Sequence, residues 1–157
     1  MTDLIVLAFA NEADAIRMRD KLFELKQEQR LNPLADAVFV VRKPAGKMTV
    51  KHEVRLVGTS AYQGLLLDFV FWMFYQEMAA SAVANTPNNP QGYIGLDDKF
   101  VMEISRVMEL SHGALFLLAD KFSEDKVKDL LQDFNGTILR KSLSKEDEAM
   151  LMAVFGR

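Results

Sequence analysis

Residues able to do chemistry are few in this 157-residue chain, which holds two histidines, His52 and His112, and no cysteine. Without thiols there is no disulfide framework, thiolate metal site or sulfur nucleophile, and such a composition fits a reducing compartment. His52 falls on the apolar side of an alternating stretch with no second ligand at metal-binding spacing. A hydrogen-bonded structural histidine is the expectation there, rather than a ligand or base. His112 precedes Gly113 at the end of a helical pattern, where a cation meets the last helix carbonyls. Carboxylates pair at Asp97–Asp98 and cluster at Glu146–Asp147–Glu148, each at the opening of a helical pattern, where acids complement the positive end of the helix dipole. The sequence therefore predicts no catalytic residue, no metal site and no cofactor.

The residue that stands out is Asp68, an acid inside the most apolar window of the chain. Buried alone it would be costly, so it must meet a donor, face water or take up a proton; Tyr62 or a copy of the same helix is the expected partner. The window reads as a helix over residues 60–84, about 36 Å long, with a narrow small-or-polar strip of Ser60, Gly64 and Asp68, continued more loosely by Trp72. A helix apolar nearly all round must be covered by a core, a membrane or other copies of itself.

The unbroken run Val70–Tyr75 is too short to span a bilayer, and no lysine or arginine occurs between Arg55 and Lys99 to meet anionic lipid. Self-association into a homo-oligomer is thus the leading expectation, with Tyr62, Leu66, Asp68, Phe69, Trp72, Met73 and Tyr75 as interaction residues of a non-enzymatic scaffold. Two rivals stay open. One is a peripheral membrane-associated module. The other is a small-ligand sensor or enzyme, with a pocket between sheet and inserted helices lined by Tyr62, Phe69, Trp72 and Tyr75.

These residues need elements to hold them. Leu4–Phe9 is an apolar run of central-strand type, and Asn11 with Asp14 opens a helix over about residues 12–29 carrying Ala15, Met18, Leu22 and Leu25. After Asn32–Pro33, Ala37–Val41 forms a second strand. It hairpins through residues 42–47 into an alternating strand with Met48, Val50, His52, Val54 and Leu56 on one side. The pattern returns at the far end. Ala114–Ala119 is a strand, Ser123 caps a helix ended by Asn135–Gly136, Thr137–Ser142 closes as a strand, and Ser144 with Asp147 opens a last helix with a Met150, Leu151, Val154 and Phe155 stripe.

Between the two units, Asn85–Gly92 is turn-rich and Asp97–Asp98 begins an amphipathic helix bearing Phe100, Val101, Ile104, Val107 and Met108. Two β-α-β units with their most apolar strands innermost predict an α+β fold with a ferredoxin-like βαββαβ core. The expected core is 1–57 and 113–143 of a single domain, with a helical insertion at 58–112 and a C-terminal helix at 144–157. The first turn, Ala10–Ala13, lacks the glycines of a dinucleotide-binding fold.

Half of the residues are hydrophobic and 26% charged, as in a folded globular chain, and the net charge is -3. Broad attraction to nucleic acid is missing, so no nucleic-acid partner is expected. No basic region precedes the first apolar run, which predicts a chain that is not exported and a cytoplasmic location.

Asp3–Phe9 with Ala13, Arg19–Leu22 and Leu25, then Asp36–Val38 and Val40–Arg42, are similar to the start of a bacterial family of unknown function commonly labelled a predicted membrane protein. Ala114–Phe116, Gly136 and above all Ser142–Glu148 resemble its ending. That resemblance implies no catalytic residues. In the middle the chain carries aromatic residues and Asp68 where the family has a glycine- and alanine-rich hydrophobic stretch.

Overall fold

The computed structural model describes residues 2–31, 34–43, 47–58, 62–74, 98–120 and 136–155. Five strands, β1 (Thr2–Phe9), β2 (Asp36–Arg42), β3 (Met48–His52), β4 (Gly113–Asp120) and β5 (Thr137–Leu143), form one sheet. Their order is β3-β2-β4-β1-β5, and every pairing is antiparallel. Four helices accompany it among the described residues: α1 (Glu12–Gln27), α2 (Leu65–Phe74), α3 (Asp98–Glu109) and α4 (Lys145–Phe155). This is the α+β class expected from the sequence, with a five-strand order rather than the four-strand ferredoxin order. The helix expected after Ser123 lies outside the described residues.

Strands β1 and β4 are apolar along their length because both faces of the sheet are covered. On one face Ile5, Leu7, Phe9, Phe39, Val41, Leu115 and Leu117 pack with Ala15, Met18 and Leu22 of α1 and with Leu56 and Val57. On the other, Leu4, Val6, Val38, Val40, Phe116 and Leu118 pack with residues of α2, α3 and α4.

α1 begins as the spacing predicts: Asn11 Oδ1 accepts from the Asp14 amide at 2.8 Å. It stops two residues earlier than expected. Gln29 takes φ 61°, with the Gln29 amide on the Lys26 carbonyl and the Arg30 amide on the Leu25 carbonyl at 2.8 Å, the hydrogen bonds of a helix stop that usually employs glycine. Asn32 and Pro33 lie outside the described residues.

The alternation of β3 holds through His52 and then breaks, contrary to the pattern read through Leu56. Glu53 turns inward and is buried, Val54 is exposed, and Val54–Leu56 is a single 3-10 turn. The cause is the opposite face of the sheet. Glu53 meets Arg19 of α1 at 3.4 Å, and Leu56 joins the α1-side core. The chain therefore reaches the α1 side at residues 53–58 and has crossed to the other side by α2.

Candidate functional site

The aromatic window is described from Tyr62 to Phe74, and helix α2 occupies its second part. A turn ending at Gly64, whose φ is 91°, delivers the chain into Leu65; a side chain there would strain the backbone. Leu65, Leu66, Phe69, Val70 and Met73 are buried against the sheet. Of the residues singled out by sequence, Leu66, Phe69 and Met73 are thus covered by this chain's own core, while Tyr62, Asp68 and Trp72 are partly exposed. Tyr75 lies outside the described residues. Phe71, which the sequence reading passed over, is 40% exposed.

Phe69, Trp72 and Phe155 of α4 form an aromatic cluster. Phe69 and Trp72 are stacked with centroids 6.1 Å apart, and Phe155 meets them edge-on at 5.7 and 6.0 Å. The indole Nε1 of Trp72 is buried with no hydrogen-bond partner among the described residues. Phe69 therefore lies within an aromatic contact between α2 and α4.

At the other end of α2 stands a polar group that sequence reasoning missed. Asp36, the first residue of β2, is fully buried; its Oδ2 accepts from the Leu66 amide at 2.7 Å and its Oδ1 meets His52 Nε2 at 2.7 Å. An aspartate from a neighbouring strand thus caps α2, satisfying one of the open amides of its first turn and facing its positive dipole end. His52 is hydrogen-bonded, as expected, and remains 21% exposed. The only signal of Asp36 in the sequence is an acid at the head of the apolar run 37–41.

Tyr62, in the turn ahead of α2, donates to Glu148 Oε1 of α4 at 3.4 Å. Burial first, and then the Glu148 carboxylate, push the phenol above the ordinary tyrosine value. Glu148 lies in a helix opened by a reciprocal cap: the Asp147 amide donates to Ser144 Oγ at 3.1 Å and the Ser144 amide to Asp147 Oδ2 at 3.3 Å. That is the role the sequence assigns to this acidic cluster.

His112 takes a different part from the one expected. Its Nδ1 meets the Arg42 carbonyl of β2 at 3.0 Å, so it ties β2 to β4 instead of capping the preceding helix. A cation that does meet that helix end is Arg42, whose guanidinium donates to the Glu109 carbonyl of α3. The remaining buried acid, Asp3, accepts from Arg140 Nη2 and Ser142 Oγ of β5, both at 2.8 Å.

Among the described residues, no group of three or more histidines, aspartates or glutamates could hold a metal ion. No described helix is long and apolar enough to cross a membrane. The polar clusters carry structural duties: they cap helices and join strands. Among the described residues the large apolar side chains left exposed are Val54, Phe71, Met102 and Leu110.

No curated protein and no solved structure matches the chain. Residues 56–156 match the family described as "Protein of unknown function (DUF1269)". The match takes in the Ser142–Glu148 ending on which the resemblance mainly rests, leaves the opening strand and helix outside, and includes the aromatic middle that had set this sequence apart. With more than half of its length matched, the chain belongs to that family.

Proposed function

We infer that the protein is a non-enzymatic assembly module whose outward α2 side, Leu67, Asp68, Phe71 and Trp72, meets a second copy of the chain. One observation carries this reading: after α2 has packed its inner side on the sheet, its outer side is still apolar apart from Asp68, with Phe71 40% exposed. A solvated helix normally turns charge outward; α3 does so with Lys99, Glu103, Arg106 and Glu109. Aromatic residues are the side chains that interfaces favour.

The same reading takes the sheet as a ferredoxin-like core extended at one margin. Without β3 the order is β2-β4-β1-β5: β1 and β4 are central, and each is followed in the chain, after a long connection, by the strand lying beyond the other. It takes the cytoplasm as the compartment, supported by the lack of cysteine.

Native mass measurement in detergent-free buffer tests the assembly. A defined oligomer is expected, and Phe71→Glu should return it to monomer while the far-ultraviolet spectrum stays unchanged. A wild-type chain that stays monomeric at tens of micromolar overturns the reading. If that monomer floats with lipid vesicles and its Trp72 emission shifts blue, the outward side of α2 serves lipid instead.

A further inference from the structure

We propose that β3 is the seam of the assembly: two copies join their sheets edge to edge, with β3 antiparallel to β3 about a two-fold axis at Val50. The inference rests on assembly with a second copy and names the strand that joins them. β3 ends the strand order, and its bonding pattern follows from its hairpin with β2. The Lys43 amide donates to the Lys47 carbonyl at 2.8 Å and the Glu53 amide to the Ala37 carbonyl at 2.9 Å. Hydrogen-bonded pairs recur at every second position of an antiparallel ladder. With Val40 opposite Val50, Thr49 and Lys51 therefore bond inward to β2, while Met48, Val50 and His52 turn their N–H and C=O outward. Those outward groups have no partner among the described residues.

An antiparallel copy centred on Val50 sets Val50 opposite Val50 and Met48 opposite His52. Every outward group then meets its complement, and each pair exchanges two hydrogen bonds. Thr49 and Lys51, which lie on the α1 side of the sheet beside Val41 and Phe39, come to stand opposite each other. Charge selects this register over its neighbours. An axis at Lys51 would set Lys51 against Lys51, and an axis at Thr49 would set Lys51 against Lys47; like charges directly opposite are destabilising. A lysine on an edge strand blocks indiscriminate strand addition. Here it leaves open the one arrangement in which it meets a threonine.

The rest of the fold accommodates the seam. Met48 and Val50 are partly buried against the core that α2 covers, and α2 lies over β2 and β3. A two-fold axis normal to the sheet keeps the α2 helices of both copies on one face, flanking the seam. Strand pairing and helix contact then share one isologous interface.

Native mass measurement on variants of the full chain tests the seam. Val50→Pro removes an outward donor but no bond to β2, and should return the oligomer to monomer with an unchanged far-ultraviolet spectrum. If that variant does not fold, the exposed position Thr49 decides the matter. Thr49→Lys meets Lys51 of the second copy and should weaken association about tenfold, while Thr49→Glu should strengthen it by about as much. Both effects should shrink at high salt. Because the chain has no cysteine, Val50→Cys should oxidise to a disulfide-linked dimer, which Thr49→Cys should not. Unaltered association in both Thr49 variants, with Phe71→Glu still dissolving the oligomer, overturns the seam and leaves the assembly reading standing. A monomeric wild type overturns both.

Discussion

The two faces of the sheet solve the same covering problem with opposite kinds of helix. On one, α1 buries Ala15, Met18 and Leu22 and turns Arg17, Asp20, Lys21 and Glu24 outward. On the other, α2 buries Leu65, Leu66, Phe69, Val70 and Met73 yet still has Leu67, Phe71 and Trp72 on its remaining side. The first arrangement is complete within one chain. The second leaves an aromatic side chain, Phe71, 40% exposed where α1 places charges.

The steepest test of this contrast is the α2 side's dependence on apolar filling. Phe69 is 1% exposed, between the sheet and the Trp72–Phe155 pair. Phe69→Ala should cost about 4 kcal/mol, the loss of a buried aromatic plus the cavity left behind. Urea unfolding measures it, and a loss below about 1 kcal/mol would mean that α2 contributes little to the packed core.

The α1 side should be most sensitive through charge. Glu53 is 2% exposed and faces Arg19 at 3.4 Å, while the Arg19 guanidinium lies 4.9 Å from the Phe39 ring centre. Arg19→Met leaves that carboxylate buried and unpaired, at a cost of roughly 3 kcal/mol. The double variant Arg19→Met with Glu53→Met should recover most of this in urea melts, because two apolar side chains replace the pair. An equal loss in both variants would assign the effect to packing of the arginine stem instead.

Packing distance separates the faces next. At Gly113 an alanine Cβ has no room beside Ala15, so Gly113→Ala should cost about 2 kcal/mol through displacement of α1. Pairing it with Ala15→Gly should return part of that loss, measured as a non-additive term in the double-mutant cycle.

How much of this could be read from the chain differs between the same two faces. Caps and periodicity are local, so Asn11 with Asp14, Ser144 with Asp147, and the apolar strands at 4–9 and 114–119 emerge where the sequence puts them. α1, with its clean stripe, is equally plain.

Features set by distant partners do not emerge. The buried turn at Glu53 depends on Arg19, 34 residues earlier, and it ends a strand whose alternation alone would run on to Leu56. Asp36 caps a helix 30 residues away, and no spacing rule connects an acid at a strand's head with the first turn of a remote helix. Tyr62 finds an acceptor in Glu148, 86 positions away. Within α2, composition alone could not divide the residues covered by the sheet from those turned outward, because both sides are apolar.

Helix ends supply a milder comparison on the α1 side. Asn11→Ala removes the acceptor for the Asp14 amide and should cost about 1 kcal/mol. Gln29→Gly should stabilise by roughly 1 kcal/mol, since Gln29 sits at φ 61°, where glycine carries no side-chain penalty. The two shifts, opposite in sign, are read as changes in the urea midpoint with unchanged slope. A destabilising Gln29→Gly would show that the glutamine side chain has a role beyond closing the helix.

The smallest expected effect is confined to alkaline pH and belongs to the α2 side alone. Tyr62 loses its proton less readily in the folded chain than in the unfolded one, because burial and the Glu148 carboxylate both oppose a phenolate there. Its folded value lies above its unfolded value of about 10. Between the two values the folded state holds the proton that the unfolded state has released. Stability therefore falls with rising pH in that interval, and the contribution is complete below about pH 10. Tyr62→Phe should unfold with a flatter dependence above about pH 10, since phenylalanine cannot titrate. Below that pH it should differ from wild type only by the loss of one long hydrogen bond. If the slopes of wild type and variant coincide above about pH 10, the phenol is not held between α2 and α4, and the tie between the aromatic helix and the last helix must then be apolar, through Phe155.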